Sequence, residues 1–189
     1  MTEAQIKHFD NSIEENYRNK NYLSVISKAK NFLEKVPNHI DVEINLANIY
    51  ALVAWSYFRI GQYKEAENYF RLAAKDNEKL FGKNSPQTAI SYNNLARYLL
   101  YMAKVQHMEL TDEPLQITQE CIEINSKIPS AWKELEKNYR TLARYYTLKG
   151  DDTNATKYLN KSNLLFNATN PSEGNDEKSE NDKQSSSNS

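Results

Sequence analysis

The sequence predicts an all-α protein, and three observations carry that prediction. Four glycines and five prolines are spread over 189 residues in which Leu, Ala, Lys, Glu and Tyr are common, a balance that suits long helices with few turns better than strands. Apolar residues recur at three- and four-residue spacings through most of the chain, the period of a helix with one buried face. The same ladder of residues then returns along the sequence, as it does when one helix-turn-helix unit is repeated in tandem.

Taken in order, Phe9 and Ile13 mark a weak first helix near 3–18. After Lys20, Tyr22, Val25, Ala29 and Phe32 mark a second near 22–35, followed by Pro37. Asn38 with Asp41 can cap a third at 40–59, because short polar side chains accept the free N–H groups of a first turn. That helix holds Tyr50, Ala54 and Tyr57, which fall eleven, seven and four residues before Gly61. A fourth, 63–80, holds Tyr63, Ala66, Phe70 and Ala73, two, five, nine and twelve residues after it. Ser85-Pro86 opens a fifth at 86–106, with Tyr92, Ala96 and Leu99 at the upstream distances from Ala103. A lengthened turn, Val105 to Glu113, leads to a sixth helix at 113–126, capped within Asp112 to Pro114 and buried through Ile117, Cys121 and Ile124. Ser130 opens a seventh at 130–148, where Tyr139, Ala143 and Tyr146 precede Gly150 as their counterparts precede Gly61. The eighth, 152–166, continues the downstream series as Asp152, Ala155, Leu159 and Ser162. The eight helices make four hairpins in one domain, 1–167, with anchors 41, 42 and 47 residues apart. From 168 to 189 the text is polar, acidic and without apolar periodicity, so a disordered tail is expected.

Tyr50/Ala54/Tyr57, then Gly61, then Tyr63/Ala66/Phe70/Ala73 resemble the tetratricopeptide repeat, and the resemblance covers roughly residues 5–166. The anchor spacings exceed the usual repeat of about 34 residues. Leu80-Phe-Gly-Lys-Asn-Ser-Pro-Gln-Thr-Ala-Ile-Ser-Tyr-Asn-Asn-Leu-Ala is similar to the 42-residue variant of kinesin light chains and related adaptors. What the resemblance implies is a right-handed superhelix, its first helices lining a concave groove, and a protein-binding adaptor or scaffold in place of an enzyme. Groove residues would lie one or two positions to either side of the ladder. They would be Asn48, Ala51, Leu52, Trp55 and Arg59, an apolar patch with an exposed aromatic. Ile90, Asn93, Asn94, Arg97 and Tyr101 would follow, then Lys137, Arg140, Thr141 and Arg144, both basic and amide-rich. The cations Arg97, Lys137, Arg140 and Arg144 suit an acidic segment of a partner held in one groove, although they equally fit a solvated face. The Lys and Asn set with which some members capture chaperone carboxylates is matched only at Asn94, since Asp10 and Glu14, or Ala51 and Trp55, stand at the other places. The alternative is a structural subunit that joins an assembly through its convex or edge surface.

Other chemistries find little support in the residues. Net charge is −1, of which 170–189 contributes −3, so the remainder is close to +2 and lacks the basic arm of a nucleic-acid binder. The lone cysteine, Cys121, rules out an internal disulfide and reads as a small buried hydrophobe. His8, His39 and His107 fall in three different hairpins, away from any metal-ligand spacing. No two glycines are closer than 21 residues, which excludes phosphate-cradling loops. Catalytic residues, metal and cofactor are therefore expected to be none. Met-Thr-Glu-Ala-Gln-Ile-Lys-His is no secretory leader and no run approaches eighteen apolar residues, so a cytoplasmic protein without membrane contact is expected.

Overall fold

A computed structural model describes residues 3–35 and 46–169, with side chains at 7–35 and 46–168. Among the described residues the regular structure is helical: α1 (Glu3–Arg18), α2 (Tyr22–Leu33), α3 (Ala47–Arg59), α4 (Tyr63–Phe81), α5 (Pro86–Val105), α6 (Glu113–Ser126), α7 (Trp132–Lys149) and α8 (Asp152–Thr169). One 3-10 turn, Pro129–Ala131, precedes α7. The chain divides into two compact units, one ending at Glu109 and one beginning at Leu110.

In the first unit α2 packs on α1 and α3, and α4 lies between α3 and α5. The ladder residues are the reason these helices can approach. Ala54 of α3 and Ala66 and Ala73 of α4 are buried, as are Ile49, Val53 and Phe70 of the same two helices. Phe9 of α1 stacks on Phe32 of α2 with ring centroids 4.0 Å apart. Ser85 caps α5 as its sequence position implies, its Oγ accepting from the Thr88 N–H at 3.1 Å, with Pro86 at the first helical position. The expected cap of the third helix, Asn38 with Asp41, lies outside the described residues. The start of α3 at Ala47 is instead secured from α4, where Asp76 Oδ2 accepts from the Leu46 N–H at 2.8 Å and also from that of Ala47.

Each first helix ends on a residue in the left-handed region: Lys20 at φ 61°, Gly61 at 80°, His107 at 50° and Gly150 at 77°. At three of these ends the next N–H reaches back five residues, Asn21 to Asn16 O, Gln62 to Tyr57 O and Asp151 to Tyr146 O, each at 2.9 Å. This closure satisfies carbonyls that a helix end leaves bare. The third anchor is therefore His107 and not Ala103, because α5 continues another turn, and the spacings become 41, 46 and 43 residues.

In the second unit α7 packs on both α6 and α8. Thr118, Cys121 and Asn125 are the buried face of α6, and Leu142, Ala143 and Tyr145 are buried on α7. Asp112 does not cap α6, since its Oδ1 is taken by the Tyr145 hydroxyl at 2.7 Å. Ser130 sits in the 3-10 turn and α7 starts without a side-chain cap. Asp151 caps α8 by accepting from the Asn154 N–H at 3.0 Å. Leu159, expected on the packed face, is 46% exposed, while Ser162 is fully buried and donates to Glu136 Oε1 at 2.8 Å. The last helix runs to Thr169, two residues into the segment expected to be disordered, and 170–189 lies outside the described residues.

Candidate functional site

Helix α5 has two buried faces. Ser91, Leu95, Tyr98 and Met102 make one, and Ala89, Asn93, Ala96 and Leu100 make the other. Between them on one side runs a narrow stripe at three- and four-residue spacing, Ile90, Asn94, Arg97, Tyr101 and Val105, and on the other side lie half-buried Tyr92, Leu99 and Ala103. Ile90, Tyr101 and Val105 are 39%, 43% and 44% exposed. Large apolar side chains aligned in this way leave apolar surface in contact with water.

Helix α3 supplies the adjoining wall. Phe58 meets the Tyr101 ring edge-on at 4.6 Å, and Trp55 meets Phe58 and Phe70 edge-on at 5.7 and 4.8 Å. The Arg97 guanidinium lies 5.4 Å from the Trp55 ring centroid and donates to Asn94 Oδ1 at 3.5 Å. Trp55, expected to be an exposed aromatic, is thus half-buried, with Arg97 spread over one face. Asn48 is exposed and donates its amide to Asp10 Oδ1 of α1 at 2.8 Å. Burial pushes the Asp10 carboxyl above the ordinary aspartate range against the pull of that amide, and neighbouring Glu14 adds to the rise. Arg59 is exposed at the end of α3. Asn93 does not belong to the open stripe: it is 3% exposed, and its Oδ1 has no hydrogen-bond partner among the described residues.

The remaining expected residues lie on α7 of the second unit. Lys137 pairs with Glu134 at 2.8 Å, and Arg140 pairs with the buried Glu136. Arg144 is exposed and forms no ion pair with a described residue, whereas Thr141 is buried and donates to its own helix at Lys137 O.

Two tyrosines escaped the sequence ladder. Tyr69 stacks on Tyr57 at 5.5 Å and stands 6.1 Å from Tyr50, and Tyr158 makes the same pair of contacts with Tyr146 and Tyr139 at 5.5 and 6.1 Å. Both fall eight residues after the glycine of their hairpin, a coincidence that could have revealed them. Lys30 of α2 lies 5.6 Å over the Tyr57 ring, and Lys161 lies 5.3 Å over that of Tyr139. The buried hydroxyls are spent on structure. Tyr98 donates to Tyr63 O at 2.7 Å, and burial pushes its pKa up to about 12. Burial, followed by the bond to Asp112, does the same to Tyr145. No group of three His, Cys, Asp or Glu residues that could hold a metal occurs among the described residues, and none of their helices is long and apolar enough to cross a membrane.

Residues 45–107, which span α3 to α5, match the tetratricopeptide repeat family. No curated protein sequence is significantly similar to the chain. Among solved structures, two crystal structures of the nearly identical tetratricopeptide-like repeats of a Podosopora anserina protein described as a candidate kinesin light chain, one of them a single-substitution variant, are similar in fold. One has a TM-score of 0.55 at 15% identity, covering 87% of this chain and 96% of that one. The other has 0.55 at 14%, covering 89% and 97%. BtubC (BKLC) from P. vanneervenii is a looser likeness, at 0.44 and 17% identity, covering 88% and 82%. Repeats of this kind are in general protein-interaction modules. The segment 45–107, with its Tyr/Ala ladder and left-handed glycine turn, belongs to the tetratricopeptide-repeat family, and the chain shares that family's helical-repeat fold.

Proposed function

We propose that this protein is a non-enzymatic adaptor whose first unit binds a segment of a partner protein along the open stripe of α5 and the adjoining wall of α3. The observation that carries the reading is the alignment of exposed Ile90, Tyr101 and Val105 with half-buried Asn94 and Arg97 on one line of α5, beside Trp55 and Phe58. Apolar contact with Ile90, Tyr101 and Val105 supplies affinity, and the amides of Asn48 and Asn94 can pair with a peptide backbone. Arg97, which lies over Trp55, carries a guanidinium suited to pairing with a carboxylate, which favours an acidic partner segment. Lys137, Arg140 and Arg144 offer a separate cationic set to the same class of partner.

The test begins with a pull-down from native extract analysed by mass spectrometry, followed by binding assays with the purified partner. Arg97→Glu should weaken binding about tenfold or more, and raising salt should weaken the wild type. Because Arg97 also rests on Trp55, the variant should lose about 0.5–1 kcal/mol of stability, so Ile90→Glu serves as a second probe that leaves that contact intact. Unchanged affinity in both variants would remove the α5 stripe from the binding surface.

A second reading, a structural subunit docking by its edge, draws on α8. Leu159, Leu164 and Phe166 are exposed on that terminal helix. A complex of fixed stoichiometry, insensitive to Arg97→Glu and Ile90→Glu but lost on Phe166→Glu, would establish it.

A further inference from the structure

Lys133, Lys137, Arg140 and Arg144 follow one another on α7 at spacings of four, three and four residues, and all are exposed. At 1.5 Å per residue they form one cationic stripe about 16 Å long. Glu134 and Glu136 offset part of it through Lys137 and Arg140, while Lys133 and Arg144 form no ion pair with a described residue. Helix α8 lies antiparallel beside α7, since Ser162 bonds Glu136 and Tyr158 stacks on Tyr139. Its end at Thr169 therefore returns to the level of the 3-10 turn and Lys133, where the stripe begins.

Four residues further on, the sequence turns acidic. Glu173, Asp176, Glu177, Glu180 and Asp182 set five carboxylates within ten residues, against two lysines and no large apolar side chain anywhere in 170–189. Ten residues can extend over roughly 33 Å, twice the length of the stripe. A tether this short also holds the carboxylates at a local concentration of about millimolar, enough for individually weak ion pairs to add up. We propose that the acidic segment 173–182 of this chain docks in cis along the Lys133–Arg144 stripe of α7. It thereby screens the stripe, and any other anionic partner must displace it. No outside partner is needed, so this contact stands or falls separately from the adaptor reading.

The experiment uses the full chain with a spin label on Ser179→Cys and the buried Cys121 replaced by Ala. At low ionic strength the label should broaden the backbone amide NMR signals of residues 133–144. At 1 M salt, where the screening length is about 3 Å, the broadening should vanish. It should also vanish when Glu173, Glu177 and Glu180 become Gln and Asp176 and Asp182 become Asn, a set of changes that touches no described helix. Lys137→Glu combined with Arg144→Glu should abolish it from the other side. Broadening confined to residues next to the label, or centred on another helix such as α5, would overturn the proposal, as would broadening that survives neutralisation of the five carboxylates.

Discussion

Asp76 reaches back thirty residues to hold the first turn of α3, accepting from the N–H groups of Leu46 and Ala47. No local side chain does this, since Leu46 occupies the capping position. Asp76→Ala should therefore cost about 1 kcal/mol in urea unfolding, whereas Asp76→Asn, which keeps an acceptor oxygen, should cost less. Burial raises the folded-state pKa of Asp76 above its ordinary 3.8, and the backbone donors offset only part of that rise. The folded protein thus holds this proton more tightly than the unfolded chain does. The stability of wild type relative to Asp76→Asn should be greatest at and below pH 3.8 and should fall as pH rises through the folded value. A melting series across that range checks the sign. The left-handed helix ends make a complementary pair. Gly61 has no atom within 4 Å of where a Cβ would stand, so Gly61→Ala should cost about 1 kcal/mol through backbone strain alone. His107→Gly should relieve that strain and stabilise by about 0.5–1 kcal/mol, read as a shift in the urea midpoint.

The helices themselves were legible wherever the period of three and four was reinforced by punctuation. Ser85-Pro86 and the glycines at 61 and 150 fixed their ends because capping and left-handed turns act over a few residues. His107 could not be found in this way, since a non-glycine in that conformation leaves no compositional mark and Ala103 mimicked the alanine-rich packing ladder. Asp112 fails as a cap for a related reason: its partner, Tyr145, is thirty-three residues away. Of the residues expected beside the ladder on α5, Ile90 and Tyr101 are exposed and Asn94 and Arg97 are half-buried. Asn93 is buried instead, because α5 buries two faces where one was assumed. The packing at Ala66 tests the register directly. With Ala66 of α4 fully buried, Ala66→Leu should overpack its surroundings and lower stability by about 1–3 kcal/mol. A loss below about 0.5 kcal/mol would mean that α4 is rotated so that Ala66 is not closely packed.

Across the whole molecule, fold class and repeat character were readable because they depend on local periodicity, whereas the division into two compact units was not. The lengthened turn before α6 signalled an interruption of the repeat without saying that the chain divides there. Two helix starts described above differ in how far through the chain their caps reach, and this difference orders events in time. Ser85 meets Thr88 three residues away, so the first turn of α5 can close as soon as that short stretch becomes helical. The cap that Asp76 gives to α3 needs α4 to have folded back first. In stopped-flow experiments Ser85→Ala should therefore act mainly on the folding rate, while Asp76→Ala should leave that rate almost unchanged and accelerate unfolding. On that outcome the α3–α4 hairpin would close before the start of its leading helix is secured.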